Sequence, residues 1–159
     1  MNPPMVIMVL GVHRSGTSCM AGVLSALGVP MGVSGLRPNS GNKKGFFEDR
    51  LLRRVMKQCG GVEFPGGRRF TLPFWTRVVR LIQWRHDRSI DGSIIGGKLP
   101  AMGMMVKEMS AAWKEWRAIV TERPVADSAA SRHRWNRRHT VERIAADMVA
   151  LARQRDADL

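Results

Sequence analysis

Residues 5–18, Met5-Val6-Ile7-Met8-Val9-Leu10-Gly11-Val12-His13-Arg14-Ser15-Gly16-Thr17-Ser18, restrict the fold more than any other stretch. An unbroken apolar run gives way to a glycine-bounded polar loop and then to an amphipathic pattern. Met5 to Leu10 is rich in β-branched residues and too short to cross a membrane, which suits a central strand buried on both faces. Beyond the loop, Met20, Val23, Leu24 and Leu27 recur at the spacing of one helix face, and Gly28 followed by Pro30 ends that helix. Strand, loop and helix in this order put the amides of Ser15 to Ser18 at a helix N-terminus, where unpaired N–H groups and the helix dipole favour an anion.

Against the nucleotide-binding pattern GxxxxGK followed by Ser or Thr, the loop keeps Gly11, Gly16 and the final hydroxyl of Ser18, but Thr17 stands where the lysine belongs. The cation is instead Arg14. His13-Arg14-Ser15-Gly16-Thr17-Ser18 resembles the 5′-phosphosulfate loop of sulfotransferases that use 3′-phosphoadenosine 5′-phosphosulfate (PAPS), particularly bacterial and phage relatives. The resemblance implies that Arg14, Ser15, Gly16, Thr17 and Ser18 bind the cofactor. It also implies that Arg14 acts in catalysis by stabilising charge on the leaving phosphate. A Gly-rich strand-to-helix turn that holds no ligand is the structural alternative.

At 159 residues the chain is expected to form one domain over residues 1–159, short at its C-terminal end relative to that family. Lys and Arg number 26 against 13 Asp and Glu, a formal net charge of +13, so polyanionic partners are expected: a phosphorylated cofactor, nucleic acid or an acidic acceptor. Cys19 and Cys59 are isolated thiols without ligand spacing, which indicates neither a disulfide framework nor a metal site and fits a reducing cytoplasm. The N-terminal residues lack the pattern of a signal peptide, and no run approaches the length of a membrane span, so no membrane association is expected.

A Gly-, Pro- and Asn-dense loop over 32–42 leads into Asn42-Lys43-Lys44-Gly45-Phe46-Phe47-Glu48-Asp49. This element is similar to one that follows the first helix in bacterial sulfotransferase-like proteins, and the resemblance implies that Glu48 is the catalytic base. A carboxylate suits that task because an acceptor hydroxyl must lose its proton during transfer. Equally, Glu48 and Asp49 suit the start of a helix, where acidic side chains complement the dipole. A short helix is expected from Leu51 to about Gln58, and a second amphipathic one over 72–85. Ser93 to Lys98 reads as a second parallel strand ending in a Gly-Gly loop, with Lys98 at the strand end where open α/β sheets bind ligands. In the family a strand of this kind runs into Lys-Asp-Pro-Arg; here only Lys98 and Pro100 remain.

Met104 to Trp116 is expected to be a helix burying Met105, Met109, Ala112, Trp113 and Trp116, and Ala118 to Glu122 a third strand. Arg123, Pro124 and, eight positions after Arg123, Ser131 follow. Sulfotransferases bind the 3′-phosphate with an arginine at a strand end and a serine on the next helix, so the resemblance assigns Arg123 and Ser131 to the cofactor. The basic stretch 132–138 would complete that site, meet an acidic acceptor, bind nucleic acid with Trp135 stacking, or simply be solvated. Thr140 is the expected N-cap of a last helix that turns Val141, Ile144, Ala145, Met148, Leu151 and Ala152 inward.

These readings amount to a three-layer α/β fold of P-loop-like type, a short parallel sheet flanked by helices, with strands near 5–10, 93–98 and 118–122 joined by right-handed crossovers. The function implied by the resemblance is sulfuryl transfer from PAPS to a hydroxyl or amine acceptor, leaving adenosine 3′,5′-bisphosphate and needing no metal. A nucleotide-dependent kinase is the first alternative, although kinases of this type need the loop lysine and an acidic residue to manage magnesium, a part only Glu122 could fill. A non-catalytic nucleotide- or nucleic-acid-binding protein is the second.

Overall fold

Met5–Leu10 forms β1, the middle strand of a three-stranded parallel sheet in the order β2-β1-β3, with β2 at Ile94–Lys98 and β3 at Trp116–Val120. The computed structural model describes residues 5–32, 38–39, 42–43, 45–50, 52–53, 94–113, 115–135 and 137–159. Around the sheet lie α1 (Thr17–Ala26), a 3₁₀ helix (Pro100–Met104), α2 (Val106–Ala112), α3 (Val125–Trp135) and α4 (Val141–Asp158). Among the described residues no helix is long and apolar enough to cross a membrane.

β1 is apolar throughout because both of its faces are covered. Val6, Met8 and Leu10 pack with Leu52, Ile95, Met102, Met105, Met109 and Trp113. Val9, on the other face, packs with Ala21, Leu24 and Met31, with Ile7 and Ile119 beside them. Alternate side chains of one strand thus feed two cores. A third cluster joins α3 to α4 through Ala129, Ile144, Met148 and Leu151, with Val141, Ala145 and Ala152 at its margin, the inward face expected for the last helix.

Several expectations are corrected. α1 buries Thr17, Ala21 and Leu24, while Val23 is 48% and Leu27 75% exposed. The loop tucks Thr17 inward, and this sets the helix's rotation. The helix expected over 104–116 is instead a 3₁₀ turn and the short α2, and Trp116 opens β3. Val6 N donates to Glu115 O at 2.9 Å and Trp116 pairs with Val6, so the chain must leave the helix in time to join the sheet. Gly96 and Gly97 lie inside β2, paired with Ile7 and Met8, rather than in a terminal loop. A Cβ on Gly96 would lie 2.8 Å from Val29 Cγ1, and one on Gly97 2.7 Å from Met8 Sδ, so a larger residue at either position would have to displace a neighbouring side chain. β3 spans 116–120 rather than 118–122, in register with Val6 to Leu10. Residues 50, 52 and 53 are helical; the rest of the helix expected to Gln58, that over 72–85, and Cys59 lie outside the described residues.

Candidate functional site

The three strands end together. Val9 pairs with Lys98 on one side and Ile119 on the other, so the loop after β1, the last residue of β2 and the residues after β3 converge at the carboxyl edge of the sheet. A Cβ on Gly11 would lie 2.6 Å from both Ser15 Oγ and Thr121 Oγ1, which excludes any larger residue at the start of the loop. Arg14, at φ 70°, and Gly16, at φ 100°, take left-handed conformations that turn the chain back into α1. For an arginine this conformation is uncommon and strained.

Ser15 serves the loop itself. Its amide donates to Val12 O at 3.2 Å, its hydroxyl donates to the same oxygen at 2.8 Å and lies 3.0 Å from Thr121 Oγ1. The expected set of four anion-binding amides therefore loses Ser15. Thr17 and Ser18 open α1, with Gly16 as its N-cap, so no earlier helical turn supplies acceptors for their amides.

Arg14 Nε donates to Ser131 Oγ at 3.1 Å, tying the loop to α3. On the opposite side of the loop, Lys98 Nζ donates to Ser18 Oγ at 3.1 Å, to Phe46 O at 3.0 Å and to Glu48 Oε1 at 3.0 Å. Ser18 Oγ itself donates to Phe46 O at 3.2 Å. Burial lowers the pKa of Lys98, while the charge and hydrogen bond of Glu48 oppose that shift. Glu48 Oε2 also lies 3.8 Å from Arg53 Nε. The two adjacent acids divide their tasks: Asp49 Oδ1 accepts from Leu52 N at 2.8 Å and caps the turn that follows, leaving Glu48 for the site.

These groups line one cavity of about 550 Å³ together with His13, Arg53, Glu122, Arg132 and Trp135. Of the residues expected to act, Arg14, Ser15, Gly16, Thr17, Ser18, Glu48 and Arg123 are on its wall, whereas Ser131 is not among them and reaches the site through Arg14. Arg123 is half-exposed, and its Nε lies 3.9 Å from Asp127 Oδ2. Among the described residues two carboxylates line the cavity, and each lies beside a cation: Glu48 beside Lys98, and Glu122 at 3.0 Å from Arg155 Nη2, which also contacts Asp156. Arg14, Arg53, Arg123 and Arg132 then leave the lining positive in sum.

The same field acts on His13. Burial first, then the charges of Arg132, Lys98 and Arg14, lower its pKa from 6.5 to about 3, so its imidazole is neutral at physiological pH. Burial also lowers the pKa of Arg132, against the attraction of Asp147. Phe46 and Trp135 add an aromatic wall, their rings 6.3 Å apart and tilted by 45°. Trp135 is the last residue of α3, so the first part of the basic stretch is helical, with Arg132 and Trp135 on the cavity wall, while Arg137, Arg138 and His139 are exposed beyond it.

His13 is a site residue to which sequence patterns assigned no role of its own, whereas Lys98 was placed only as a strand-end position where ligands sit and Arg132 only as part of a basic stretch with several open readings. For Lys98 the available signal was a lone lysine closing an apolar strand; for Arg132 it was submerged in a run of similar charges. No protein-family model matches the chain, and no curated protein is significantly similar to it.

Proposed function

We propose that this chain is a P-loop-like sulfotransferase that transfers a sulfuryl group from PAPS to a hydroxyl or amine acceptor and releases adenosine 3′,5′-bisphosphate. The observation that carries this reading is that Arg14 to Ser18, Glu48 and Arg123, drawn from three separate stretches of sequence, share one cation-rich cavity. A lining with more cations than carboxylates, each carboxylate beside a cation, suits a ligand with several anionic groups.

PAPS, when bound, supplies a sulfuryl group activated as a phosphosulfate anhydride. Gly16 to Ser18 offer open amides to its 5′ end, and Arg14, oriented by Ser131, would meet the charge that develops on the leaving phosphate. Glu48 is held by Lys98 and takes the proton that the acceptor hydroxyl or amine gives up. Arg123 would hold the 3′-phosphate, while Ser131, off the cavity wall, would act on the cofactor through Arg14, from whose Nε it accepts. Sulfuryl transfer of this kind needs no metal in principle.

A kinase is less well supported. Thr17 replaces the loop lysine, and Glu122, the acid after β3, is bound to Arg155. Calorimetric titration of adenosine 3′,5′-bisphosphate and AMP without metal, set beside ATP with magnesium, separates the readings. Adenosine 3′,5′-bisphosphate should bind more tightly than AMP, and than ATP with magnesium. Equal affinity for bisphosphate and AMP would remove the case for a 3′-phosphate site and leave a general polyanion-binding surface.

A further inference from the structure

Glu122 follows β3 at the carboxyl edge of the sheet, one residue before Arg123, and both line the cavity. A carboxylate in that place repels the kind of ligand that the remaining lining suits. Its side chain is 75% exposed, yet it is held: Arg155, 33 residues further along the chain, donates from Nη2 to Glu122 Oε1 at 3.0 Å. Arg155 is 4% exposed and is not among the residues that line the cavity. A Cβ on Gly103 would lie 3.8 Å from Arg155 Cβ, so the stem of the side chain runs beside the 3₁₀ helix that starts at Pro100 on the cavity wall. Lys107 Nζ, 2.9 Å from Asp158 Oδ1, joins α2 to the same end of α4. The guanidinium already has a carboxylate beside it in Asp156, whose Oδ1 accepts from Nε at 2.6 Å. Neutralising Arg155 therefore does not call for Glu122, and an ion pair with so exposed a partner adds little stability. What the pair fixes is the place of a negative charge on the cavity wall.

We propose that Arg155 is a positioning residue for the anion site: from the last helix it holds the Glu122 carboxylate to the α4 side and so leaves Arg123 to the ligand. The inference rests on the reading that Arg123 meets the 3′-phosphate. Arg123 is paired loosely, its Nε 3.9 Å from Oδ2 of an Asp127 that is itself exposed. A released Glu122 carboxylate, one residue away, would compete with the ligand for that guanidinium. A 3′-phosphate meets both this competition and the repulsion of the freed charge, whereas the 3′-hydroxyl of AMP is uncharged. Arg155 therefore acts on the ratio of bisphosphate to AMP affinity and not on the two ligands alike.

The test is low-salt calorimetry of adenosine 3′,5′-bisphosphate and AMP on the wild type, Arg155→Met, Glu122→Gln and the double variant, each checked by a thermal melt. Arg155→Met should lower the bisphosphate-to-AMP affinity ratio about 2- to 5-fold, the scale of an exposed ion pair, and the loss should shrink as salt rises. The double variant should regain the ratio of Glu122→Gln, because with no carboxylate to hold Arg155 has no task at the site. A wild-type ratio in Arg155→Met overturns the inference, and so does a double variant no better than the single one, which would make the role of Arg155 one of packing alone. Should Arg155→Met not fold, Glu122→Asp replaces it: the shorter arm keeps the charge at an exposed position but out of reach of Arg155. It should show the lowered ratio, and a ratio equal to that of Glu122→Gln overturns the inference. All these results leave the sulfotransferase reading standing as long as the wild type prefers bisphosphate. A wild type that binds the two ligands equally overturns that reading and the inference together.

Discussion

Glu48 and Asp49 are adjacent carboxylates with unlike surroundings, and the difference decides what each can do. Asp49 is 1% exposed and occupied as a helix cap, whereas Glu48 borders the cavity. Glu48→Gln keeps size and hydrogen-bonding capacity but removes basicity. It should leave bisphosphate affinity nearly unchanged and lower turnover with PAPS by roughly 10² to 10⁴; undiminished turnover would make Glu48 structural. His13 gives a second residue-scale prediction. The unfolded chain takes up a proton at His13 below 6.5, while the folded chain resists it until about 3. The resulting stability is complete above 6.5 and is lost as pH falls toward 3, by up to about 1.4 kcal/mol per pH unit. Urea midpoints should therefore decline from pH 6.5 to about 5, above most carboxylate titrations, and His13→Gln should flatten that decline. Identical slopes for the two proteins would show His13 titrating normally.

At the scale of elements, α4 is the helix whose sequence signals agree with one another. Thr140 Oγ1 accepts from Arg143 N at 3.3 Å, and Ile144, Met148 and Leu151 fall on the buried face. Thr140→Ala should cost about 1 kcal/mol in urea denaturation, with an unchanged denaturant slope, because only the cap is lost. An unchanged midpoint would mean that the cap contributes nothing and that packing alone holds the helix. α1 and α2 show where such signals fail. The apolar spacing in α1 named Val23 and Leu27, yet the entry of the chain through Gly16 and Thr17 turns both outward. The apolar spacing through Trp116 continued past the end of α2, because helical periodicity does not register the pairing that Trp116 makes with Val6.

For the whole molecule, the question is whether the net charge of +13 acts as a field or through a site. If Arg123 grips the 3′-phosphate, Arg123→Ala should weaken bisphosphate by about 1.5 to 3 kcal/mol and hardly change AMP. Arg137→Ala, on the exposed turn beyond α3, should weaken both ligands slightly, by an amount that fades as salt rises. The bisphosphate-to-AMP ratio at two salt concentrations distinguishes them, and a ratio that collapses in Arg137→Ala would favour the field. The sequence by itself determined what is local: an apolar run that must be an interior strand, a glycine-bounded loop beyond it, and the buried stripe and cap of the last helix. Their causes are periodicity and backbone geometry, which act over a few residues. Only the tertiary structure decided that β1 lies between β2 and β3, that Ser131 meets Arg14, that Arg155 neutralises Glu122, and that Lys98 reaches Ser18 and Glu48. Each of these joins groups far apart in the chain, and their electrostatics depend on burial that no single stretch can specify.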